Sequence, residues 1–152
     1  MRSLSVLLVS VTLFISCLSE NQIDPTLCPE GSPEKWQLVK MTGNIAALPP
    51  TTGSDMAWQE WYLFYSDMTF SKTRERDNTV IEATGTYGLV TLPGGGDFME
   101  LTFETGTDLV GNCYADLKEL LFIESKDELA GTWSMCDGPG LTYERVENNC
   151  NE

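Results

Sequence analysis

The stretch Met99-Glu100-Leu101-Thr102-Phe103-Glu104 decides the fold class of this chain. Its apolar and polar residues alternate, which is the two-residue period of a strand with one face in a core and the other in water. Pro93-Gly94-Gly95-Gly96-Asp97 precedes it and Gly106-Thr107-Asp108 follows it. Clusters of glycine, proline and aspartate are typical of turns that join neighbouring strands. The pattern therefore predicts an antiparallel strand between two turns.

Comparable short runs extend from this strand in both directions, and no long amphipathic helix is visible between them. Polar turns such as Ser66-Asp67 and Asp77-Asn78 separate the runs. The other β-rich runs cover residues 35–42, 58–65, 69–76, 79–90, 109–117, 118–124, 128–135 and 141–146.

About eight strands joined in order by short turns predict an all-β fold, a single up-and-down antiparallel β-barrel. A sandwich is the alternative. Closure into a barrel removes exposed strand edges. Eight strands leave an interior that is filled by side chains or just able to hold one small ligand.

The N-terminus has the layout of an export signal. Arg2 is followed by an uncharged apolar stretch that ends in Leu13-Phe14-Ile15-Ser16-Cys17. The stretch is short for a membrane span, which needs about 20 apolar residues, and it matches the apolar region of a signal peptide. A small residue before a cysteine resembles a bacterial lipobox. A plain secretory signal, with Cys17 an ordinary thiol, is the alternative interpretation.

The lipobox resemblance implies a division of the chain and a location. Residues 1–16 are then a lipoprotein signal peptide, Cys17 carries the lipid, and the proline-rich segment 17–34 is a flexible tether for a barrel domain over 35–150. Attachment through two or more acyl chains is durable. The expected location is the bacterial outer membrane, with the domain facing the periplasm or the cell surface.

The remaining cysteines fit an exported protein. Cys28, Cys113, Cys136 and Cys150 make an even number, which in an exported chain indicates two disulfides. Three connectivities are possible, and the favoured one joins Cys28 to Cys150 and Cys113 to Cys136, because the first pair flanks the patterned region. A zinc site is disfavoured, because the chain has no histidine and no Cys-x-x-Cys motif.

The charge balance is strongly acidic, with a formal net charge of −14 at pH 7 that becomes one unit more negative if Arg2 is removed. Such a surface repels nucleic acid and anionic lipid headgroups. It favours a cationic partner, although solubility alone also explains it.

Several short motifs resemble a lipocalin-like lipoprotein of Gram-negative bacteria. They are Trp36-Gln37-Leu38-Val39, Trp61-Tyr62-Leu63-Phe64, Gly85-Thr86-Tyr87, Leu129-Ala130-Gly131-Thr132-Trp133, and the close from Cys136 to Val146. The resemblance implies a lipocalin-like barrel. It also implies that Arg145, on the last strand, stacks on Trp36, on the first strand, and closes one end.

The candidate ligand site is the inside of such a barrel. A cavity there would be lined by aromatic side chains, with an arginine at its mouth to orient a polar or acidic ligand. The candidate residues are Tyr62, Phe70, Arg74, Tyr87 and Trp133. Packing of these aromatic side chains in the core is the alternative.

Catalysis and cofactors find little support in the sequence. Without histidine, a Ser–His or Cys–His dyad cannot form. Carboxylates are plentiful, but no spacing isolates a catalytic pair or a calcium loop. We expect no enzyme activity, no cofactor and no metal.

The sequence therefore favours an envelope-anchored protein that binds a small apolar or amphipathic ligand. The alternative is an inhibitor or scaffold that contacts a protein, for example a cationic one, through an acidic or aromatic surface.

Overall fold

A computed structural model describes residues 31–43, 48–114 and 116–146 of the chain. Within these residues, the chain forms nine antiparallel strands and three short 3₁₀ turns. The strands are β1 Glu34–Thr42, β2 Thr51–Thr52, β3 Gln59–Phe64, β4 Thr69–Arg76, β5 Thr79–Thr91, β6 Asp97–Thr105, β7 Lys118–Ser125, β8 Glu128–Gly131 and β9 Gly140–Val146.

Eight of the strands form a closed up-and-down barrel, as the sequence predicts. Each strand from β3 to β8 pairs with the next along the chain, β1 pairs with β3, and β9 returns to pair with β1. The ninth strand, β2, adds only two paired positions to the end of β1. The predicted all-β fold class is therefore confirmed, and the sandwich alternative is excluded by the β1–β9 pairing.

The barrel interior is filled from all sides by alternating side chains. Its middle contains Leu38, Tyr62, Phe70, Leu101, Leu121, Leu129 and Tyr143, each at most 2% exposed. The aromatic rings pack edge to face, with 5.1 Å between the centroids of Tyr62 and Tyr143 and 5.0 Å between those of Phe70 and Phe103. Such pairs add to the stabilisation from apolar burial.

A bulge in β1 corrects the direction of its side chains. The pairing with β9 shifts between Leu38 and Lys40, so that Met41 rather than Lys40 lies inside the barrel after Trp36 and Leu38. One extra residue is the usual way to reset the alternation of a strand. Here it keeps a lysine in water.

Local turn chemistry fixes the hairpins. Asp77 and Asn78 both have positive φ, the left-handed conformation that a two-residue hairpin needs and that aspartate and asparagine tolerate. In the middle of β5, a Cβ atom on Gly85 would lie 2.0 Å from the Thr102 carbonyl oxygen. Only glycine fits where β5 and β6 approach so closely.

The predicted β-rich run over 109–117 is wrong. The structure has a 3₁₀ turn, Thr107–Leu109, and the described residues between it and the start of β7 at Lys118 form no strand. This segment folds over one end of the barrel, where its backbone satisfies buried charges. The run over 128–135 is also shorter than predicted, because β8 ends at Gly131 and a 3₁₀ turn, Trp133–Cys136, follows. We call the end with these irregular segments the loop end.

No helix among the described residues is long and apolar enough to cross a membrane.

Candidate functional site

Four charged side chains meet inside the barrel near its loop end. Lys72 of β4 lies between two carboxylates, with its Nζ 3.3 Å from Glu60 of β3 and 3.0 Å from Glu119 of β7. Arg74, two residues further along β4, pairs with the other oxygen of Glu60. Lys72, Glu60 and Glu119 are almost completely buried. We call these four residues the buried charge cluster.

Neutral groups complete the hydrogen bonding of the cluster. The hydroxyl of Tyr62 donates to Glu119 at 2.7 Å, and that of Tyr143 donates to Glu60. The segment after β6 adds two backbone groups: Lys72 donates to the Leu109 carbonyl at 2.8 Å, and the Gly111 amide donates to Glu119 at 3.2 Å. Buried charges are tolerated only when they are paired and hydrogen-bonded in this way.

The pKa of Glu60 and those of the two tyrosines that bond to the cluster shift in opposite directions. Burial alone raises the pKa of Glu60, but the charges of Lys72 and Arg74 and the hydrogen bond from Tyr143 outweigh burial and lower it below 4.5. Burial, together with the negative charges of the two glutamates, raises the pKa of Tyr62 and of Tyr143 well above 10.0. The carboxylate of Glu60 therefore stays ionised and both phenols stay protonated at neutral pH.

This arrangement is suited to holding the fold rather than to catalysis. Hydrolysis by a carboxylate pair needs an open cleft for the substrate and a water molecule. The oxygens of Glu60 and Glu119 are instead enclosed and bonded to lysine, arginine and tyrosine groups. We interpret the pair as structural.

Arg74 is the member of the cluster nearest to solvent. Its guanidinium lies 4.5 Å from the centroid of the Trp58 ring, a cation–π contact. The Nη2 atom of Arg74 and the Nε1 atom of Trp58 are buried and have no hydrogen-bond acceptor.

The five predicted ligand residues lie at different levels of the barrel. Tyr62 and Phe70 are buried in its middle, and Arg74 holds Glu60. Tyr87 lies towards the opposite end, where its hydroxyl donates to the Tyr65 carbonyl at 2.9 Å. Trp133 is half-buried in the loop end. The structure therefore does not gather the five side chains around one space, and their role in binding a ligand stays a prediction.

A groove of about 640 Å³ lies on the outside of the barrel, against β6, β7 and the loop end. Along β6 and β7 the inward residues are buried in the core, so the residues between them form the floor of this outer groove. Its apolar lining consists of Leu92, Phe98, Tyr114, Leu120 and Met135. Its polar lining consists of Glu100, Asn112, Asp116, Lys118 and Thr132.

The disulfide Cys113–Cys136 forms one wall of the outer groove. It joins the irregular segment after β6 to the 3₁₀ turn after β8, two pieces of chain without ladder pairing of their own. The Asn112 side chain supports the same wall by donating to the carbonyl oxygens of Asp116, at 2.9 Å, and of Lys118, at 2.6 Å. The wall is therefore held covalently and by hydrogen bonds.

An ion pair crosses the floor of the outer groove. Lys118 Nζ lies 2.7 Å from Glu100 Oε1, and both side chains are partly exposed. The hydrogen bond to Glu100, together with the charge of that carboxylate, raises the pKa of Lys118 above 10.5. The groove thus offers an apolar surface next to a fixed pair of opposite charges.

Trp36 and Arg145 are confirmed as neighbours, because they are direct partners in the ladder between β1 and β9. The Arg145 guanidinium lies 3.5 Å from Glu34 and 3.3 Å from Asp127. In the described part of the chain, the cation–π contacts involve Lys35, Lys72 and Arg74, and the predicted stack of Arg145 on Trp36 is not among them. Arg145 therefore links the strands at the end of the barrel opposite the loop end through ion pairs.

Cys17, Cys28 and Cys150 lie outside the described residues, so the lipid anchor and the second disulfide stay predictions. The Cys113–Cys136 disulfide is confirmed. In the described ranges, no three cysteine and acidic side chains are grouped in a way that could hold a metal ion.

The barrel has the strand number, direction and closure of a lipocalin-like fold. This architecture is what the structure shares with that class. Comparison with family models, with curated protein sequences and with solved structures finds no match to this chain.

Proposed function

We propose that this protein is an exported, lipid-anchored binding protein of the bacterial envelope, and that its outer groove holds a small apolar or amphipathic molecule. The signal-like N-terminus that ends at Cys17 supports export and anchoring. The Cys113–Cys136 disulfide also supports export, because disulfides persist in oxidising compartments and are rare in the cytosol.

The observation that carries the binding function is the outer groove itself. Its volume of about 640 Å³ lies within the range of roughly 300–1,000 Å³ that is typical of small-molecule sites. The middle of the barrel, in contrast, is occupied by Tyr62, Phe70 and Tyr143. The groove therefore offers the ligand a space that the filled barrel does not.

The lining of the groove favours an amphipathic ligand. Phe98 and Leu120 form an apolar floor that is largely buried, whereas Tyr114 is 77% and Met135 80% exposed. A bound apolar group would therefore remove mainly the surfaces of Tyr114 and Met135 from water. Each Å² of apolar surface removed stabilises a complex by roughly 25 cal/mol before the costs of association. The ion pair of Lys118 and Glu100 provides partners for a polar head.

A fluorescent probe tests the site. Nile red is neutral and apolar, so the acidic surface does not repel it, and its emission rises in an apolar site. Met135→Glu should weaken its binding about tenfold, because it places a charge on the apolar wall. The matched control is Leu48→Glu, since Leu48 is 61% exposed and does not line the groove.

Two outcomes would contradict the groove as the site. If Nile red binding is unchanged by Met135→Glu, the probe does not contact the wall of the outer groove at Met135. Binding that is instead lost in Tyr87→Ser, with Met135→Glu unaffected, would place the ligand inside the barrel with the residues predicted from the sequence.

The anchor has a separate test. Cys17→Ser should leave an uncleaved or soluble protein, because the residue that receives the lipid is gone. Membrane fractionation with mass measurement decides the matter. A variant that still fractionates with membranes at its mature mass would show that Cys17 is not the anchor.

A further inference from the structure

Among the described residues, the last part of β5 has no ladder partner on one of its two sides. The ladder between β4 and β5 ends at Thr69 and Thr86, whereas β5 continues to Thr91 and is paired there only with β6. The last part of β5 therefore projects beyond β4 with one edge open. The outer groove lies against the other side, along β6 and β7.

The backbone of this segment is oriented for a further strand. The Tyr87 amide donates to the Met68 carbonyl on the β4 side, and the Thr84 amide donates to the side-chain hydroxyl oxygen of Thr105 on the β6 side. Amide directions alternate along a strand. Leu89 and Thr91 therefore present their N–H and C=O groups to the open edge, where no hydrogen bond from the described residues reaches them.

The open edge lacks the protection that strand edges usually have. Natural edges carry lysines or other charges, prolines or bulges that prevent pairing with another chain. The sequence Tyr87-Gly88-Leu89-Val90-Thr91 has no charge and no proline, and its register with β6 is regular. Leu89 is 69% exposed. At the other end of β5, the residues before Thr84 have no ladder partner in β6. That stretch contains Glu82, a charge of the kind that protects a strand edge.

We propose that the open edge of β5 at Leu89 and Thr91 binds an extended, basic segment of a partner protein by strand addition. Main-chain hydrogen bonds to Leu89 and Thr91 would supply the pairing, as in other sheets that accept a peptide strand. This proposal does not rest on the ligand of the outer groove.

Charge at both ends of the open edge argues for a basic partner. Asp67 lies in the turn before β4, and Asp97, on the β6 side of Thr91, accepts a hydrogen bond from the Thr91 hydroxyl at 2.7 Å. Burial, and then the negative charges of Glu34 and Asp67, raise the pKa of Tyr87. The start of the edge therefore lies in the negative field of these two carboxylates. A segment with lysine or arginine at its ends and uncharged residues between them matches this pattern.

Two other occupants fit the edge less well. A second copy of the chain would bring its own net charge of −14 against an equal charge. Insertion into lipid would leave the N–H and C=O groups of Leu89 and Thr91 without partners in hydrocarbon, which is costly. A strand from a basic protein satisfies both the hydrogen bonds and the charges.

Hydrogen exchange tests the proposal on the full chain. The probe is a short capped peptide of alternating valine and threonine with a lysine at each end. We expect it to slow exchange at Leu89 and Thr91. The same peptide with glutamate ends should bind about tenfold more weakly, and salt should reduce that difference because it screens exposed charges.

Proline substitution identifies the edge. Leu89→Pro removes an amide that points out of the ladder, so the barrel should fold while peptide binding is lost. Leu89→Ala keeps the amide and should retain most of the binding. Val80→Pro is the matched control: Val80 is paired with Glu75 of β4, but its amide faces the other side of β5, which the β6 ladder does not reach.

Other results would overturn the proposal. They are peptide binding that survives Leu89→Pro, equal binding of the lysine-ended and glutamate-ended peptides, and protection of Leu89 and Thr91 that appears only at high protein concentration. Protection by neutral phosphatidylcholine vesicles but not by the lysine-ended peptide would also overturn it. Because Nile red reports on the outer groove, failure at the edge and failure at the groove are separate results.

Discussion

Lys72 is a fully buried charge at the centre of the buried charge cluster. Its ammonium group lies between Glu60 and Glu119, and Arg74 pairs with the other oxygen of Glu60, so that two cations face two carboxylates. Burying a charge is expensive, so the cluster is tolerated because its charges balance. Removing one member leaves an uncompensated charge in the core.

We predict that Lys72→Met lowers the free energy of unfolding by about 3–5 kcal/mol, because Glu119 loses its cation. Urea denaturation measures the change. The matched control is Lys118→Met, which breaks the exposed pair with Glu100 and should have little effect. The double variant Lys72→Met/Glu119→Gln should recover much of the loss, since it removes both charges. Equal effects of the two single variants would contradict the importance of burial.

The cluster also predicts how stability depends on pH. The pKa of Glu60 is lowered from 4.5, so its contribution is present above that value and is lost as pH falls through the lower folded-state pKa. The pKa values of Tyr62 and Tyr143 are raised above 10.0, so their contribution is present below 10.0 and is lost at higher pH. Stability should therefore decline on both sides of a broad plateau.

Denaturation of Glu60→Gln and Tyr143→Phe across the pH range checks these assignments. Glu60→Gln should flatten mainly the acid side, and Tyr143→Phe should flatten mainly the alkaline side, with a smaller change on the other side in each variant because the two groups shift each other's pKa. If neither side changes in its variant, the pH dependence arises elsewhere in the molecule.

The inward positions of Glu60, Lys72 and Glu119 could have been predicted from the sequence, although only Arg74 of the buried charge cluster was among the predicted site residues. Tyr62 and Phe64 face inward on β3, so the same alternation places Glu60 inward. Phe70 does the same for Lys72, and Leu121 for Glu119. Charged residues at inward positions were the signal. Their pairing could not be predicted, because it depends on how distant strands face each other across the barrel.

At the scale of elements, the Cys113–Cys136 bridge holds the wall of the outer groove. We predict that Cys113→Ala/Cys136→Ala lowers the free energy of unfolding by about 2–4 kcal/mol, as expected for cysteines 23 residues apart. Nile red binding should weaken in the same variant, because the wall is no longer fixed. Reduction of the wild-type chain alone would not identify this bridge, since reductant acts on every disulfide. Unchanged probe binding would show that the wall does not need the bridge.

Regular elements were predicted well and irregular ones poorly. Thr69–Arg76 and the Asp77-Asn78 turn follow from alternation and from local turn preferences. The 109–117 segment has apolar residues too, but its conformation is set by tertiary contacts. Leu109 and Gly111 give their backbone groups to buried Lys72 and Glu119. A local sequence pattern cannot predict such tertiary contacts.

At the scale of the whole molecule, closure makes the first and last strands neighbours. The β1–β9 ladder runs from Lys35 with Val146 to Thr42 with Gly140. Strand number and order were predictable from turn spacing, and the β1–β9 pairing separates a barrel from a sandwich. The outer groove was not predicted, because it lies between the barrel wall and the two irregular segments that the disulfide joins.

Arg145 offers a test of closure. It links β9 to Glu34 at the start of β1 and to Asp127 in the turn between β7 and β8. We predict that Arg145→Ala lowers the free energy of unfolding by about 1 kcal/mol, because it removes two partly exposed ion pairs and the packing of a long side chain. Chemical denaturation measures the change. Exchange of β1 and β9 amides should accelerate in parallel, since the seam joins both strands.

The matched control for Arg145 is Lys126→Ala. Lys126 pairs with the same Asp127 but belongs to the turn and is 86% exposed, so its removal should leave stability and amide exchange almost unchanged. If Arg145→Ala accelerates exchange in β1 and β9 while Lys126→Ala does not, the effect belongs to the seam and not to Asp127. If β1 and β9 exchange rapidly even in the unaltered protein, the strands are edges and the barrel is open in solution. In a closed barrel, these amides exchange as slowly as those of the central strands.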